Sequence, residues 1–241
     1  MRIGIDDIAS YIFCPVLQEK KRHDIIMPRL TFTERCVRSA LIEGERNACL
    51  KDSVVTPRKL LRAWEGIWWP AATEKKLSME EANEVSLHAS CQFSDYCKYD
   101  MSDWTFPTVG VDIETEVNLG PVTLYTSADV VKADLSGNKP STVLVSFTSR
   151  KLSLRQAATD PAIKAMAYAF HSGREENVVH ISVDIDERSD KIKAVVSVFR
   201  PDDIKRIRIM LEQVARGIYS RNYYQNPWLC KECRVCQDFT S

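Results

Sequence analysis

The distribution of cysteine is the feature that most constrains how this chain can fold. Cys230, Cys233 and Cys236 form a Cys-x-x-Cys-x-x-Cys run near the C-terminus, and Cys14 lies in Tyr-Ile-Phe-Cys-Pro near the N-terminus. Three thiolates at that spacing suit three corners of one iron–sulfur cubane, and a remote cysteine can supply the fourth ligand. The pattern therefore predicts a metal clasp that draws both ends of the chain together.

Zinc and unligated thiols are the two alternatives for these cysteines. Structural zinc sites usually take their cysteines as two separated pairs, whereas here a dense triple would need a single distant partner. The spacing thus favours an iron–sulfur cluster over Zn²⁺. The other four cysteines lack metal-like spacing and are expected to be buried thiols; they are Cys36, Cys49, Cys91 and Cys97.

Composition limits the remaining possibilities. The 241 residues are 44% hydrophobic, which is enough for one substantial core and favours a single domain. Thirty-three basic and thirty-three acidic residues cancel, so a polyanion site must be a local patch, and a protein partner is mildly favoured over naked nucleic acid. The charged N-terminus without an apolar signal core predicts an intracellular protein, and no apolar run approaches the roughly 20 residues of a membrane span.

Apolar periodicity predicts that residues 1–106 are nearly all helix. Asp6-Asp7 are good N-cap types, Ser78 and Glu81 form a capping-box pattern, and Trp68-Trp69-Pro70 is expected to end a helix. The predicted helices are Ile5–Arg22, Thr33–Leu50, Arg58–Trp68 and Ser78–Tyr99.

The pattern becomes β-rich after Pro107. Asp160-Pro161 is expected to open a helix that runs to Phe170, and Pro201–Tyr219 to form a closing helix. The first three predicted strands form a meander, and together these elements predict a single α/β domain with a mixed central sheet. The five predicted strands are Val109–Asn118, Val122–Lys132, Thr142–Thr148, Val178–Ile185 and Ile192–Phe199.

In this order the elements resemble the RecB-like branch of the PD-(D/E)XK nuclease superfamily. Within it, the chain is similar to the iron–sulfur members: the CRISPR-associated RecB-like exonucleases, the AddB-type nucleases and their phage relatives. The most specific parts of the resemblance are Tyr11-Ile-Phe-Cys14-Pro15 and Gly217-Ile…Asn226-Pro-Trp-Leu-Cys230-x-x-Cys233-x-x-Cys236. Many relatives leave a longer gap before the last cysteine than this chain does.

The resemblance implies an organisation and a cofactor. It implies an N-terminal helical lobe at 1–106, a restriction-endonuclease-like core at 107–219 and a cysteine segment at 220–241. It also implies a [4Fe–4S] cluster that joins both termini. The implied ligands are Cys14, Cys230, Cys233 and Cys236.

The catalytic motifs of the family are only partly present. The family uses a Gly followed by a His, an Asp that ends the second strand, a Glu-x-Lys on the third strand and a Gln-x-x-x-Tyr on the next helix. Gly44 has no His after it. At the other positions this chain has Asp129 in place, Ser146 and Thr148 instead of Glu and Lys, Lys164 instead of Gln, and Tyr168 in place.

These replacements predict a catalytically inactive nuclease fold. A hard cation such as Mg²⁺ or Mn²⁺ needs several oxygen ligands, and Asp129 alone would hold it weakly. Two rescues remain open: an ammonium from Lys151 or Lys164, and a second carboxylate from the β-strand that carries Glu114 and Glu116. Without metal, Lys164 could instead hold a phosphate group without cutting it.

Two functions from different classes follow. The first is a non-enzymatic RecB-like module that binds DNA or serves as a subunit of a replication, recombination or transcription assembly. The second is an active metal-dependent DNA exonuclease whose catalytic residues have migrated, working in recombination, phage DNA processing or CRISPR-related acquisition. A third, weaker hypothesis is a binder whose DNA affinity responds to the redox state of the cluster.

Structural explanations stand beside these functional ones. Asp129 could be a turn-forming or solvated acid, Lys164 a solvated helix residue, and Tyr168 part of the core. Trp64, Trp68 and Trp69 lie on an amphipathic helix and are expected to be buried rather than to stack on bases. No role is assigned to His88, His171 or His180, which show no ligand-pair or triad spacing.

Overall fold

The computed structural model of the chain describes residues 1–13, 30–51, 53–102, 107–134, 141–149, 154–173 and 176–222. It confirms an α/β fold with a mixed central sheet. In chain order the elements are β1 (Arg2–Gly4), α1 (Ile5–Phe13), α2 (Phe32–Leu50), α3 (Pro57–Glu74), α4 (Met79–Ser102), β2 (Thr108–Asn118), β3 (Thr123–Asp134), β4 (Ser141–Ser149), α5 (Leu154–Ser172), β5 (Asn177–Ile185), β6 (Lys193–Phe199) and α6 (Pro201–Tyr219).

The strands form one sheet that begins with the predicted meander. β2, β3 and β4 pair antiparallel, β5 joins β4 in parallel, and β6 closes the sheet antiparallel to β5. β1 was not predicted because three residues are too short to show alternation. It pairs in parallel with residues 123–125 at the start of β3.

Two strands share one edge of β3, and this arrangement leaves a gap in the sheet. β2 occupies the other edge along nearly the whole strand, from Thr123 to Lys132. On the shared edge, β1 pairs up to Tyr125 and β4 pairs only from Val130 onward. The stretch 126–129 of β3 therefore faces an opening between β1 and β4.

Helices cover both faces of the sheet. α2, α3 and α4 pack on one face over a core that includes Trp64, Trp68 and Phe93, whereas α1, α5 and α6 pack on the other. Trp64 and Trp68 are fully buried and stack with their ring centroids 4.9 Å apart, which confirms that they belong to the core. In the described ranges, no helix is long and apolar enough to cross a membrane.

A closed polar cluster joins the helical layer to the sheet. Glu45 of α2 is completely buried, and its carboxylate lies 3.0 Å from Nζ of Lys132 on β3. The hydroxyls of Tyr96 and Thr108 donate to its two oxygens at 2.5 and 2.6 Å. Every charge in this cluster has a partner, as a buried ion pair requires.

Two prolines do not mark the helix boundaries that the sequence predicted. α3 continues through Pro70 to Glu74, and α5 begins at Leu154 rather than at Asp160-Pro161. Pro70 removes the hydrogen bond to the carbonyl of Gly66, but both residues are exposed, so water can satisfy that carbonyl. The buried face of α3 carries Trp64 and Trp68 before Pro70 and Ala72 after it, so both halves of the helix pack on the core.

Two further predictions, on the first helix and on the unligated cysteines, are confirmed only in part. The predicted first helix is described only as Ile5–Phe13, and its remainder to Arg22 lies outside the described ranges. Cys36 and Cys97 are buried as predicted, whereas the prediction for Cys49 and Cys91 was wrong because these two are only half-buried.

Candidate functional site

The gap in the sheet opens into a cleft of about 510 Å³. Gly4 to Asp7 form one side, where β1 passes into α1, and Thr126 and Ser127 of β3 form the floor. Glu114 of β2 and Lys164 of α5 complete the lining. The cleft is thus bordered by three carboxylates, those of Asp6, Asp7 and Glu114, and by one ammonium group.

Asp129 lies beside this gap, where β3 and β4 part. Its side chain is 4% exposed, and both of its oxygens accept hydrogen bonds. Oδ2 accepts from the backbone N–H of Phe147 at 2.7 Å, and Oδ1 accepts from the guanidinium of Arg38 at 2.5 Å. The carboxylate therefore replaces a missing ladder hydrogen bond on one side and forms an ion pair on the other.

Ser146 of β4 contacts the nitrogen atoms of two basic side chains. Nζ of Lys164 donates to its Oγ at 2.8 Å, and Nε2 of His180 lies 3.1 Å from the same oxygen. The other ring nitrogen of His180 lies 3.4 Å from Oγ of Ser182 on β5. Lys164, Ser146 and His180 thus form one continuous polar chain across α5, β4 and β5.

The environment shifts the pKa values of both nitrogen bases in this chain. Burial lowers the pKa of the Lys164 ammonium, while the nearby carboxylates of Asp129 and Asp160 oppose that shift. Burial, assisted by the charge of Lys164, lowers the pKa of His180 to about 3, so its ring is neutral at physiological pH. The guanidinium of Arg38 therefore supplies positive charge beside Asp129, and Lys164 is the second basic group of the site.

Asp160 is a second carboxylate close to Lys164 on the same helix. Burial raises its pKa to about 6, a shift that Asp6 reinforces and Lys164 opposes. Within the described residues, its buried Oδ1 has no hydrogen-bond partner. Asp160 is therefore a group whose charge changes near neutral pH.

A lysine, a serine and a histidine in contact could in principle activate the serine as a nucleophile. Ser146 is only 2% exposed, however, and its hydroxyl is enclosed by Lys164 and His180. A substrate atom cannot approach Oγ without displacing one of them. The arrangement instead satisfies a buried hydroxyl and a desolvated ammonium.

The remaining predicted site residues are placed as follows. Thr148, at the position of the motif Lys, donates to Oδ1 of Asp184 at 3.0 Å, and Tyr168 is half-buried against the core under α5. Glu114 lines the cleft, whereas Glu116 lies opposite Tyr125 in the β2–β3 register. Lys151 and the four cysteines Cys14, Cys230, Cys233 and Cys236 lie outside the described residues.

The described residues contain no group of three or more histidine, cysteine or acidic side chains placed to hold a metal ion. Asp129 and Glu114, the carboxylates proposed to share one, are not brought together with a third ligand. In the described part of the chain, the geometry gives no support to the rescue in which Glu114 or Glu116 completes a metal site.

Sequence reasoning missed Arg38, His180 and Asp160. Arg38 reaches Asp129 from 91 residues away, so no local pattern indicated the contact. His180 sits in an alternating β-strand, where a buried histidine resembles any other inward-facing position. Asp160 was interpreted only as a helix cap, because it precedes a proline.

Comparison with known proteins gives a limited result. No protein-family model matches the chain, and a search of curated proteins finds no match. Among solved structures, the chain is similar to a proposed exonuclease from Eubacterium rectale, with a TM-score of 0.48, 9% identity, and coverage of 97% of this chain and 87% of that one. It is also similar to SSO0001, with a TM-score of 0.32, 12% identity and 93% coverage of both chains. At these values neither similarity bears on function.

Proposed function

We propose that this protein is a catalytically inactive RecB-like nuclease-fold module that serves as a subunit of a DNA-processing assembly. The observation that carries the proposal is that both carboxylate oxygens of Asp129 already have hydrogen-bond partners within the protein. Its two oxygens accept from Arg38 and from the Phe147 amide, so the guanidinium stands where a metal cation would otherwise neutralise the acid. A metal ion would have to displace an ion pair that already satisfies this carboxylate.

The position opposite Asp129 supports the same proposal. Ser146 provides a hydroxyl in place of a carboxylate, and that hydroxyl already accepts from Lys164. Two protein cations, Arg38 and Lys164, thus lie around one buried acid, Asp129. A metal ion would have to compete with these two side chains for Asp129, and the hydroxyl of Ser146 offers it no second charged ligand.

The charges around the cleft favour a protein partner over DNA held at this place. Asp6, Asp7 and Glu114 outnumber Lys164 in its lining, and Lys164 is turned toward Ser146. Phosphate groups of a nucleic acid would meet net negative charge there. A docking role for the fold is therefore preferred to the hypothesis in which Lys164 holds a phosphate.

We further propose a [4Fe–4S] cluster on Cys14, Cys230, Cys233 and Cys236, with Zn²⁺ as the alternative. Within the described residues, the proposal is supported by a contact between the segment that precedes Cys14 and the segment that precedes Cys230. The hydroxyl of Tyr11, three residues before Cys14, donates to the carbonyl of Asn222, eight residues before Cys230, at 2.7 Å. When bound, the cluster would cross-link these ends; an all-thiolate donor set fits it chemically.

Close packing of α1 on α6 strengthens this argument. The Cα of Gly217 lies so near the ring of Tyr11 that an added Cβ would come within 2.3 Å of the hydroxyl oxygen. Only glycine permits this contact without movement. The two helices that lead toward the cysteines are therefore held together by a specific contact and not by chance proximity.

A nuclease assay tests the proposed lack of catalysis. Anaerobically purified protein is incubated with end-labelled single- and double-stranded DNA in Mg²⁺ and in Mn²⁺, beside an Asp129→Ala variant. No cutting is expected from either protein. Metal-dependent cutting that Asp129→Ala abolishes would overturn the proposal and establish the exonuclease alternative.

A second test addresses the cofactor separately. Cys233→Ser is compared with Cys49→Ser, which removes a half-buried cysteine outside the proposed ligand set. Iron and acid-labile sulfide content is expected to fall only in Cys233→Ser, together with loss of visible absorbance and of thermal stability. Zinc bound to wild-type protein without sulfide would favour the alternative metal, and equal behaviour of the two variants would contradict both.

A further inference from the structure

The two outer edges of the sheet are built differently. In the described part of the chain, nothing pairs with the outer edge of β2 or with that of β6. Unpaired edges are templates for another strand, and proteins usually blunt them with charges, bulges or short length. A comparison of the two edges therefore indicates which one is open to a partner.

β2 shows the features of a protected edge. Asp112, Glu114 and Glu116 place three carboxylates along it, and the register with β3 shifts between Thr108 and Gly110. Asp112 has a φ of 52°, a left-handed conformation that interrupts the extended backbone. An incoming strand would meet both negative charge and an irregular backbone.

β6 lacks this protection. It pairs with β5 in unbroken register over seven consecutive residues, and its centre, residues 194–198, carries no charge. Val195, Val196 and Val198 are 50%, 45% and 60% exposed. Because neighbouring side chains in a strand point to opposite faces, apolar surface is exposed on both faces of this edge.

The charges at the two ends of β6 select between possible occupants. Lys193 precedes the uncharged run and Arg200 follows the strand, and both are exposed. Asp184, which lies opposite Lys193, instead accepts a hydrogen bond from Thr148. Antiparallel pairing with a second copy of β6 would bring Lys193 of one copy toward Arg200 of the other, which disfavours a symmetric dimer.

We infer that β6 is a docking edge for an extended segment of a partner protein, uncharged and β-branched at its centre and acidic at its ends, which adds to the sheet as a further strand. Main-chain hydrogen bonds would supply most of the affinity, and the two cations would fix the position of the segment. This inference names the docking surface of the subunit role proposed above and rests on it.

An NMR titration tests the inference with defined probes. The full-length protein is titrated with the capped seven-residue peptide Glu-Thr-Val-Thr-Val-Thr-Glu, which matches β6 in length. A version with proline at the central position and a version with lysine at both ends serve as controls. The acidic peptide is expected to bind, with amide shifts centred on β5 and β6, and both control peptides to bind at least about tenfold more weakly.

Matched variants locate the surface. Val196→Lys is expected to weaken binding of the acidic peptide by about tenfold, whereas Val109→Lys, a similarly exposed valine on β2, is expected to leave it unchanged. The double variant Lys193→Glu/Arg200→Glu should reverse the preference, so that the lysine-ended peptide binds more tightly than the acidic one. This reversal would not follow from non-specific adhesion to exposed valines.

The outcomes separate this inference from the proposed function. Equal binding of all peptides, or equal binding by Val196→Lys and Val109→Lys, would overturn the docking edge and leave the nuclease result untouched. A concentration-dependent dimer in sedimentation velocity that Val196→Lys abolishes would also overturn it, because the occupant would then be a second copy. DNA cutting alongside normal peptide binding would overturn the absence of catalysis and retain the edge.

Discussion

Glu45 and Asp129 are both buried carboxylates at the junction of a helix with the sheet, and each is matched by a protein cation. Glu45 pairs with Lys132 and accepts from two hydroxyls, all inside the layer formed by α2, α4 and the sheet. Asp129 pairs with Arg38 and accepts from the Phe147 amide, at the margin of the cleft. The first cluster is closed, whereas the second adjoins Lys164, a half-buried cation at the cleft surface.

The difference lies in the surroundings of the two acids and not in how their charge is neutralised. In both clusters an internal cation neutralises the acid, and no metal is needed for charge balance. The Glu45 cluster is enclosed, whereas the Asp129 cluster adjoins the opening between β1 and β4 and the hydroxyl of Ser146.

The largest loss of unfolding free energy is expected for Lys132→Met. This change would leave Glu45 buried without its cation, and breaking a buried pair typically costs about 3–5 kcal/mol of unfolding free energy. Urea denaturation at neutral pH measures the loss. Arg46→Met is the control, because Arg46 pairs with Glu43 and Asp112 at the surface, where a pair contributes about 1 kcal/mol or less. Equal losses in both variants would mean that Glu45 does not depend on Lys132.

Asp129→Ala is expected to have the next largest effect. It removes the acceptor of a buried backbone N–H and the partner of Arg38, at a cost of about 1–3 kcal/mol. Asp129→Asn keeps an oxygen for the Phe147 amide and should lose less. Addition of Mn²⁺ is expected to change the stability of neither variant nor of wild type. A clear stabilisation of wild type alone by Mn²⁺ would show that Asp129 still binds metal.

A pH series on His180→Asn examines the interior side of the Asp129 cluster. The pKa of His180 is lowered from 6.5 to about 3, so the unfolded chain binds the proton more tightly than the folded one. The stabilisation is present above pH 6.5 and is lost as the pH falls toward 3. His180→Asn should therefore lose less stability on acidification than wild type, whereas exposed His171→Asn should follow wild type. Parallel curves for all three proteins would show that His180 is not held neutral.

The smallest effect on stability is expected for Asp160, and its dependence on pH is opposite to that of His180. Burial raises its pKa from 3.8 to about 6, so the folded state binds the proton more tightly than the unfolded chain. That stabilisation is present below pH 3.8 and is lost as the pH rises through about 6. Asp160→Asn should consequently gain in melting temperature over wild type as the pH rises through this window. A difference in melting temperature between Asp160→Asn and wild type that does not vary with pH would contradict the raised pKa of Asp160.

Much of the fold was predictable because its signals are local. Alternation fixed the strands β2 to β6 to within a few residues, and apolar stripes located α2 and α4. The errors have physical causes: Pro70 and Pro161 lie inside helices that continue past them, and β1 is too short to produce a pattern. Local propensity is a weak preference that packing can override.

The sequence by itself determined most of the elements and singled out Asp129, Ser146, Thr148 and Lys164 as candidate site residues. Only the tertiary structure decided what surrounds them: Arg38 on Asp129, His180 beside Ser146, and the contrast between the edges β2 and β6. The reason is distance along the chain. Ion pairs and edge exposure join residues from separate elements, and no local spacing records which elements will meet.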